Sequence, residues 1–281
     1  NLSRAKVSVE RVLEVLNTEP EFADDNTYQL KEVKKGNVCF KDVSFKYPNT
    51  KHRSLRDINL EIEAGSTTAI IGSTGSAKTT LVQLISRLYD VTSGEILIDN
   101  QPIDLYDPIA LRDQVAMVLQ ENTLFSGTIR SNMQWGKEDA TDEEIITALK
   151  ISQAADFVLN RPEGLDSKVE RGGANFSGGQ KQRLCIARTL LKNPKIIIFD
   201  DSTSAVDMQT EANIREGLNK YNPSLTKIII AQRISSIQHA NRIIVLDNGE
   251  VSGIGTHEEL LENNIIYREI YESQQRGMMA E

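Results

Sequence analysis

The spacing of apolar residues changes along the chain, and each change predicts a different element. Val9, Val12, Leu13 and Leu16 stand three and four apart within residues 4–16, which predicts a short amphipathic helix. The stretch 17–35 is polar, acidic and proline-containing, and reads as a linker. From Val38 the period falls to about two, with Val38, Phe40, Val43 and Phe45, then Ile58, Leu60 and Ile62, predicting an antiparallel β layer. Thr67–Ile71 reads as a buried strand, 79–88 as a helix, Gly94–Asp99 as part of a hairpin and 115–119 as another strand. Between about 121 and 190 the spacing is helical, and Thr141 with Glu144 forms a capping box ahead of Ile145, Ile146 and Leu149. Ile196–Phe199, Ile228–Ala231 and Ile243–Leu246 are continuous apolar runs, the pattern of parallel strands buried on both faces.

Composition narrows the class. The 281 residues are 39% hydrophobic, enough for a packed core, and no stretch approaches the ~18 apolar residues of a membrane-spanning helix. A net charge of −8 argues against nucleic acid as the main partner, because that needs a phosphate-neutralising surface. Cys39 and Cys185 lie far apart in apolar surroundings, which suits neither a disulfide framework nor a metal site and implies a reducing compartment. The chain begins at Asn1 without a basic-apolar leader, so a segment of a longer protein is expected.

Three motifs carry chemistry. Gly72, Ser73, Thr74, Gly75, Ser76, Ala77, Lys78, Thr79 and Thr80 lie between a buried strand and a helix, where a phosphate-binding loop belongs. Its amides would cradle phosphates, Lys78 would reach the terminal ones, and Thr79 would ligate Mg²⁺. Ala77 replaces the second glycine of that pattern, acceptable if its φ is helical; a structural turn is the other reading of the loop. The strand Ile196–Phe199 ends in Asp200 and Asp201, where a carboxylate could face Mg²⁺ or simply cap the next helix. Ser177, Gly178, Gly179 and Gln180 open a long helical pattern, as an anion site or an ordinary capped helix.

The segment Asn175–Arg183 resembles the signature motif of ATP-binding-cassette (ABC) ATPases, with Phe176 where leucine is usual, and the resemblance covers roughly residues 36–272. In this likeness Tyr47 resembles the aromatic that stacks on adenine, Gln120 the Q-loop glutamine, Ser204–Asp207 the D-loop, and Gln232 the switch-histidine position. It implies an α/β P-loop NTPase (RecA-like) fold: a mostly parallel sheet core, an N-terminal antiparallel β subdomain, and an inserted α-helical subdomain at about 121–190. Residues 36–281 would form the nucleotide-binding domain, and 1–35 the end of a last transmembrane helix and linker. It further implies ATP and Mg²⁺ as cofactors, with Thr79, Gln120 and Asp200 near the metal, and Asp201, Gln232 and Gln120 at the reacting phosphate. Ser177–Gln180 would act in trans, on a partner's nucleotide.

Two departures bear on chemistry. A glutamate is usual at Asp201 and a histidine at Gln232, while the binding residues Lys78, Thr79, Asp200 and Gln120 are kept. A shorter carboxylate and a missing imidazole imply a site that holds ATP and cleaves it poorly. His52, His239 and His257 read as surface histidines rather than replacements. The combination resembles the degenerate-site subunit of heterodimeric bacterial multidrug exporters. Its expected partners are a second, different nucleotide-binding domain and the transmembrane domains of both halves, at the cytoplasmic face of the cell membrane. Arg171, where that group has glutamate, departs from its coupling loop. An ABC importer's ATPase subunit is the alternative; a DNA-repair or chromosome-structuring ATPase would need heptads or a zinc pair that this chain lacks.

Overall fold

The computed structural model describes residues 2–18, 28–201 and 206–278; residues 19–27 of the expected linker, and Ser204 and Ala205 of the expected D-loop, lie outside them. In chain order the strands are β1 (Val38–Phe45), β2 (Leu55–Ile62), β3 (Thr67–Ile71), β4 (Ser93–Ile98), β5 (Gln101–Pro102), β6 (Val115–Val118), β7 (Gly127–Thr128), β8 (Lys168–Val169), β9 (Ile196–Asp200), β10 (Thr226–Ile230), β11 (Arg242–Asp247) and β12 (Glu250–Gly255). They build an antiparallel sheet β2-β1-β4-β5, a six-stranded sheet β12-β11-β3-β10-β9-β6, and the small pair β7-β8. In the large sheet β11, β3, β10, β9 and β6 run parallel, with β12 antiparallel at one edge.

In β1 the period of two breaks once, between Phe40 and Val43, and in β2 once, between Leu55 and Ile58. Val38 pairs with Ile62 and Phe40 with Leu60; then a bulge, with Asp42 at φ 49°, shifts the register so that Val43 meets Ile58 and stays inward. The three-residue gap between Phe40 and Val43 is that bulge.

The continuous apolar runs follow from burial on both faces. In β9, Ile196 and Ile198 point into the core shared with the antiparallel sheet, whereas Ile197 and Phe199 point into a second core under the helices. In β11, Ile244 and Leu246 join the first core, and Ile243 and Val245 join a third with Tyr267 of the helix Ile265–Met278. Helices at 129–134, 142–151, 155–159 and 178–190 supply about half of the region 121–190, and the small pair β7-β8 and turns fill the rest. Both Thr141 and Ser177 form full capping boxes with their third helical residues.

The segment leading into β1 is tied by one carboxylate. Asp99 accepts hydrogen bonds from the backbone N–H groups of Lys34, Lys35, Gly36 and Asn37 at 2.6, 2.9, 2.8 and 3.2 Å. Val9, Val12, Leu13 and Leu16 do lie in a helix, Leu2–Leu16, and all four are exposed.

Candidate functional site

The C-terminal ends of β3, β9 and β10 converge on one cleft of about 690 Å³. Gly72 leaves β3 so close to β11 that a Cβ would collide with the carbonyl oxygen of Leu246, and Gly75 turns at φ 85°. The helix Lys78–Ile85 then starts with Ala77 as N-cap and no side chain on its first amides. The helices beginning after Asp107, Thr128, Thr141, Ser177, Asp207 and Thr256 are all capped by those side chains. Uncapped amides at a helix start are the donors that an anionic group satisfies.

Ala77 does not have the right-handed helical φ that would make alanine neutral here. It sits at φ 72°, ψ 26°, in the left-handed region, where a Cβ costs ~1–2 kcal/mol. Its half-buried methyl packs against the first core.

Lys78 Nζ donates to the carbonyl oxygens of Gly72 and Ser73 at 2.8 and 2.9 Å. Thr79 Oγ1 donates to Asp200 Oδ1 at 3.1 Å, which brings a hydroxyl and a carboxylate together. Asp201, at φ 47°, accepts through Oδ2 from the side-chain amides of Gln120, at 3.3 Å, and Gln232. Gln232 is braced in turn, since Gln274 Nε2 donates to its carbonyl at 2.7 Å and Gln274 Oε1 accepts from Ile234 N.

Burial pushes the carboxyls of Asp200 and Asp201 above the ordinary aspartate range, and the charge of Asp201 raises Asp200 further. Burial also pulls Lys78 below the usual lysine value, against the pull of the two aspartates. In all three, burial disfavours the charged form more than the opposite charges nearby favour it. A divalent cation beside Asp200 and Thr79, and phosphates beside Lys78, would supply further counter-charge. Among the described residues there is no cluster of three His, Cys, Asp or Glu side chains suited to a metal. One hydroxyl and one carboxylate instead suit Mg²⁺, which keeps several waters and shares its ligands with substrate phosphates.

The sequence model of the ABC transporter family matches residues 55–204. The chain belongs to the ABC transporter family. It is 43% identical over 96% of its length to YgaD of Bacillus subtilis (strain 168), provisionally named a multidrug export ATP-binding/permease protein. It is 44% identical over 97% of its length to YfiB of the same organism, named an uncharacterized ABC transporter ATP-binding protein. Among solved structures, a bacterial Atm1-family ABC exporter with ATP bound superposes with a TM-score of 0.90 at 36% identity, covering 97% of this chain and 48% of that one. The chain spans about half the length of these relatives, 47% in both curated cases. It is an ABC ATP-binding domain with the mixed α/β fold of P-loop NTPases.

Against the ABC pattern, Gly72–Gly75, Ala77–Thr80, Gln120, Asp200, Asp201 and Gln232 line the cleft, whereas Ser76 is buried and does not. Tyr47 does not line the cleft but touches a residue that does, its hydroxyl 3.0 Å from Thr80 Oγ1 and 3.1 Å from Gln83 Oε1, its ring edge-on to Phe45 and Tyr89. The signature-like residues Ser177, Gly178, Gly179 and Gln180 do not line the cleft, and Ser177 and Gly178 are exposed. Ser177 Oγ accepts from Gln180 N at 3.3 Å as a cap, which leaves its hydroxyl proton free to donate.

Phe176, the departure from leucine, has a local reason. Its buried ring lies 4.4 Å from the guanidinium of Arg161 and 6.5 Å from Phe157, contacts an aliphatic side chain could not make. His52 and His239 are exposed, but His257 is not a surface histidine: it is half-buried, with Nδ1 2.7 Å from the hydroxyl of buried Tyr267. Arg53, Ser54 and Asn248 also line the cleft and have no motif to announce them. The only sequence signal was the Asn248–Gly249 turn, which places Asn248 at φ 47° between β11 and β12.

Proposed function

We propose that this ABC domain is the ATP-binding half of an exporter subunit whose own site binds Mg-ATP and hydrolyses it poorly. The observation that carries this reading is Asp201: a short carboxylate gripped through Oδ2 by two amides, Gln120 and Gln232, with no imidazole in the cleft. A carboxylate held in this way is poorly placed to take a proton from a water that attacks phosphate.

In this reading the amides of 72–80 and the ammonium of Lys78 hold the phosphates. Thr79 and Asp200, with Gln120 near them, hold Mg²⁺, and adenine lies on Tyr47. Bound Mg²⁺ would neutralise charge on the phosphates during transfer. Asp201 and Gln232 position water without activating it. Ser177, Gly178, Gly179 and Gln180 face outward and serve the nucleotide of a second, different ABC domain in a head-to-tail pair, stabilising charge that develops there. Residues 1–35 would lead from a transmembrane domain and 36–281 would form the ATPase, at the cytoplasmic face of the membrane. The ATP-binding/permease name given to YgaD supports an exporter half over the importer ATPase subunit.

The test is Ser177→Arg in the full-length protein, purified with its partner half. It should abolish most ATPase activity of the pair while leaving nucleotide affinity of the 72–80 cleft almost unchanged. Full activity, or loss of binding at this chain's own cleft, would refute the trans assignment.

A further inference from the structure

Strand β10 carries a buried charge just ahead of its apolar run. Lys227 pairs with Thr67 of β3 and Ile197 of β9 and is only 3% exposed. It shares with Ile229 the helix-covered face of the sheet, and Ile229 marks the seam where the second and third cores meet. Lys227 Nζ donates to the carbonyl oxygen of Leu225 at 2.8 Å and makes no ion pair with a described residue. An ammonium has three protons to donate, and burying one without a counter-charge is costly.

Lys227 lines a cavity of about 340 Å³ together with Arg215, Asn219, Ser236, His239 and Asn241. Arg215, half-buried on the helix Met208–Tyr221, also makes no ion pair with a described residue. One carboxylate, Glu211, lines a smaller adjoining void together with Arg215, Lys227 and Ser236, and accepts from Ser236 Oγ at 3.1 Å. The cavity holds two cations, hydrogen-bonding amides and a hydroxyl, and among the described residues that line it none is acidic.

We propose that this cavity is a second anion site, separate from the nucleotide cleft, which takes a phosphate group: inorganic phosphate or the head of a small phosphate ester. A guanidinium fork and an ammonium are the pair that tetrahedral oxyanions select. The volume lies at the small end of ligand pockets, which suits one phosphate and a short substituent better than a whole nucleotide. Burial alone pulls Lys227 below the ordinary lysine value, and a bound anion would restore its charged form. The site lies toward the N-terminal ends of the parallel strands, and the nucleotide cleft lies at their C-terminal ends. A phosphate there would bridge the helix Met208–Tyr221, which follows Asp201 in the chain, and the helix Ile234–Ile237, which follows Gln232.

The experiment is thermal unfolding of the whole chain in inorganic phosphate, in glycerol phosphate, and in chloride at matched ionic strength. Every protein in it carries Lys78→Ala, so that phosphate binding in the nucleotide cleft does not contribute. Phosphate or its ester should raise Tm beyond chloride in a saturable manner. Arg215→Gln should weaken the apparent affinity about tenfold. Lys227→Met should remove the effect; if that buried variant does not fold, Arg215→Gln on its half-exposed helix face decides. Equal protection by chloride and phosphate, or an unchanged affinity in Arg215→Gln, overturns the site. A larger effect of the ester than of phosphate assigns the site to phosphate esters, and equal effects assign it to the free ion.

Discussion

Asp201→Glu combined with Gln232→His should raise hydrolysis at this chain's own cleft. The longer side chain advances the carboxylate by one carbon–carbon bond, about 1.5 Å. A well-placed general base contributes roughly 10²–10⁴-fold, or about 2.7–5.5 kcal/mol of barrier. Against this stands the grip on Asp201 Oδ2, which accepts from both Gln120 and Gln232. Giving up two such hydrogen bonds at this buried carboxylate costs about 1 kcal/mol each. Gln232→His removes one of the amides and returns an imidazole to the same position. The net gain is roughly 1–3 kcal/mol, or about five- to 150-fold in rate. The assay is release of inorganic phosphate at saturating Mg-ATP over a range of chain concentrations, with nucleotide affinity measured alongside. The reasoning fails if the unmodified chain releases phosphate as fast as the double variant at equal nucleotide occupancy.

Ala77→Gly relieves ~1–2 kcal/mol of left-handed strain and returns ~0.4–1 kcal/mol to the unfolded chain, so stability should rise by up to about 1 kcal/mol in denaturant unfolding. A clear loss of stability would mean that the methyl's packing outweighs the strain. Asp99→Ala removes four hydrogen bonds from backbone amides, two of them on exposed Lys34 and Lys35 that water can replace. It should cost about 3 kcal/mol and lower Tm by roughly 6–12 °C; a cost below ~1 kcal/mol would show that the carboxylate does not anchor the segment.

What could be read from the chain alone divides along physical lines. Ile196–Phe199 and Ile243–Leu246 were legible because a strand buried on both faces leaves an uninterrupted apolar run, and the 72–80 loop because phosphate binding demands a strand, a glycine turn and a helix in that order. Thr141 and Ser177 were legible as caps because a capping box is local. The φ of Ala77 was not, since it is imposed by the fold around the loop rather than by the residue. Arg53 and Asn248 reach the cleft from loops distant in sequence, and His257 is half-buried by Tyr267 from the next helix; spacing carries no trace of either. The reason for Phe176 emerges only when Arg161 and Phe157 are seen around it. Lys227 was concealed by the opposite effect, a single charge ahead of a run that reads as core, where a strand end reads as exposed.

Whether the cleft holds ATP without consuming it is tested directly by the nucleotide that the purified chain retains. After incubation with Mg-ATP and rapid removal of free nucleotide, the bound fraction is eluted and separated by chromatography. Intact ATP is expected on the unmodified chain, predominantly ADP on the Asp201→Glu, Gln232→His variant, and little of either on Lys78→Ala. ADP on the unmodified chain, or retention unaffected by Lys78→Ala, would contradict that expectation.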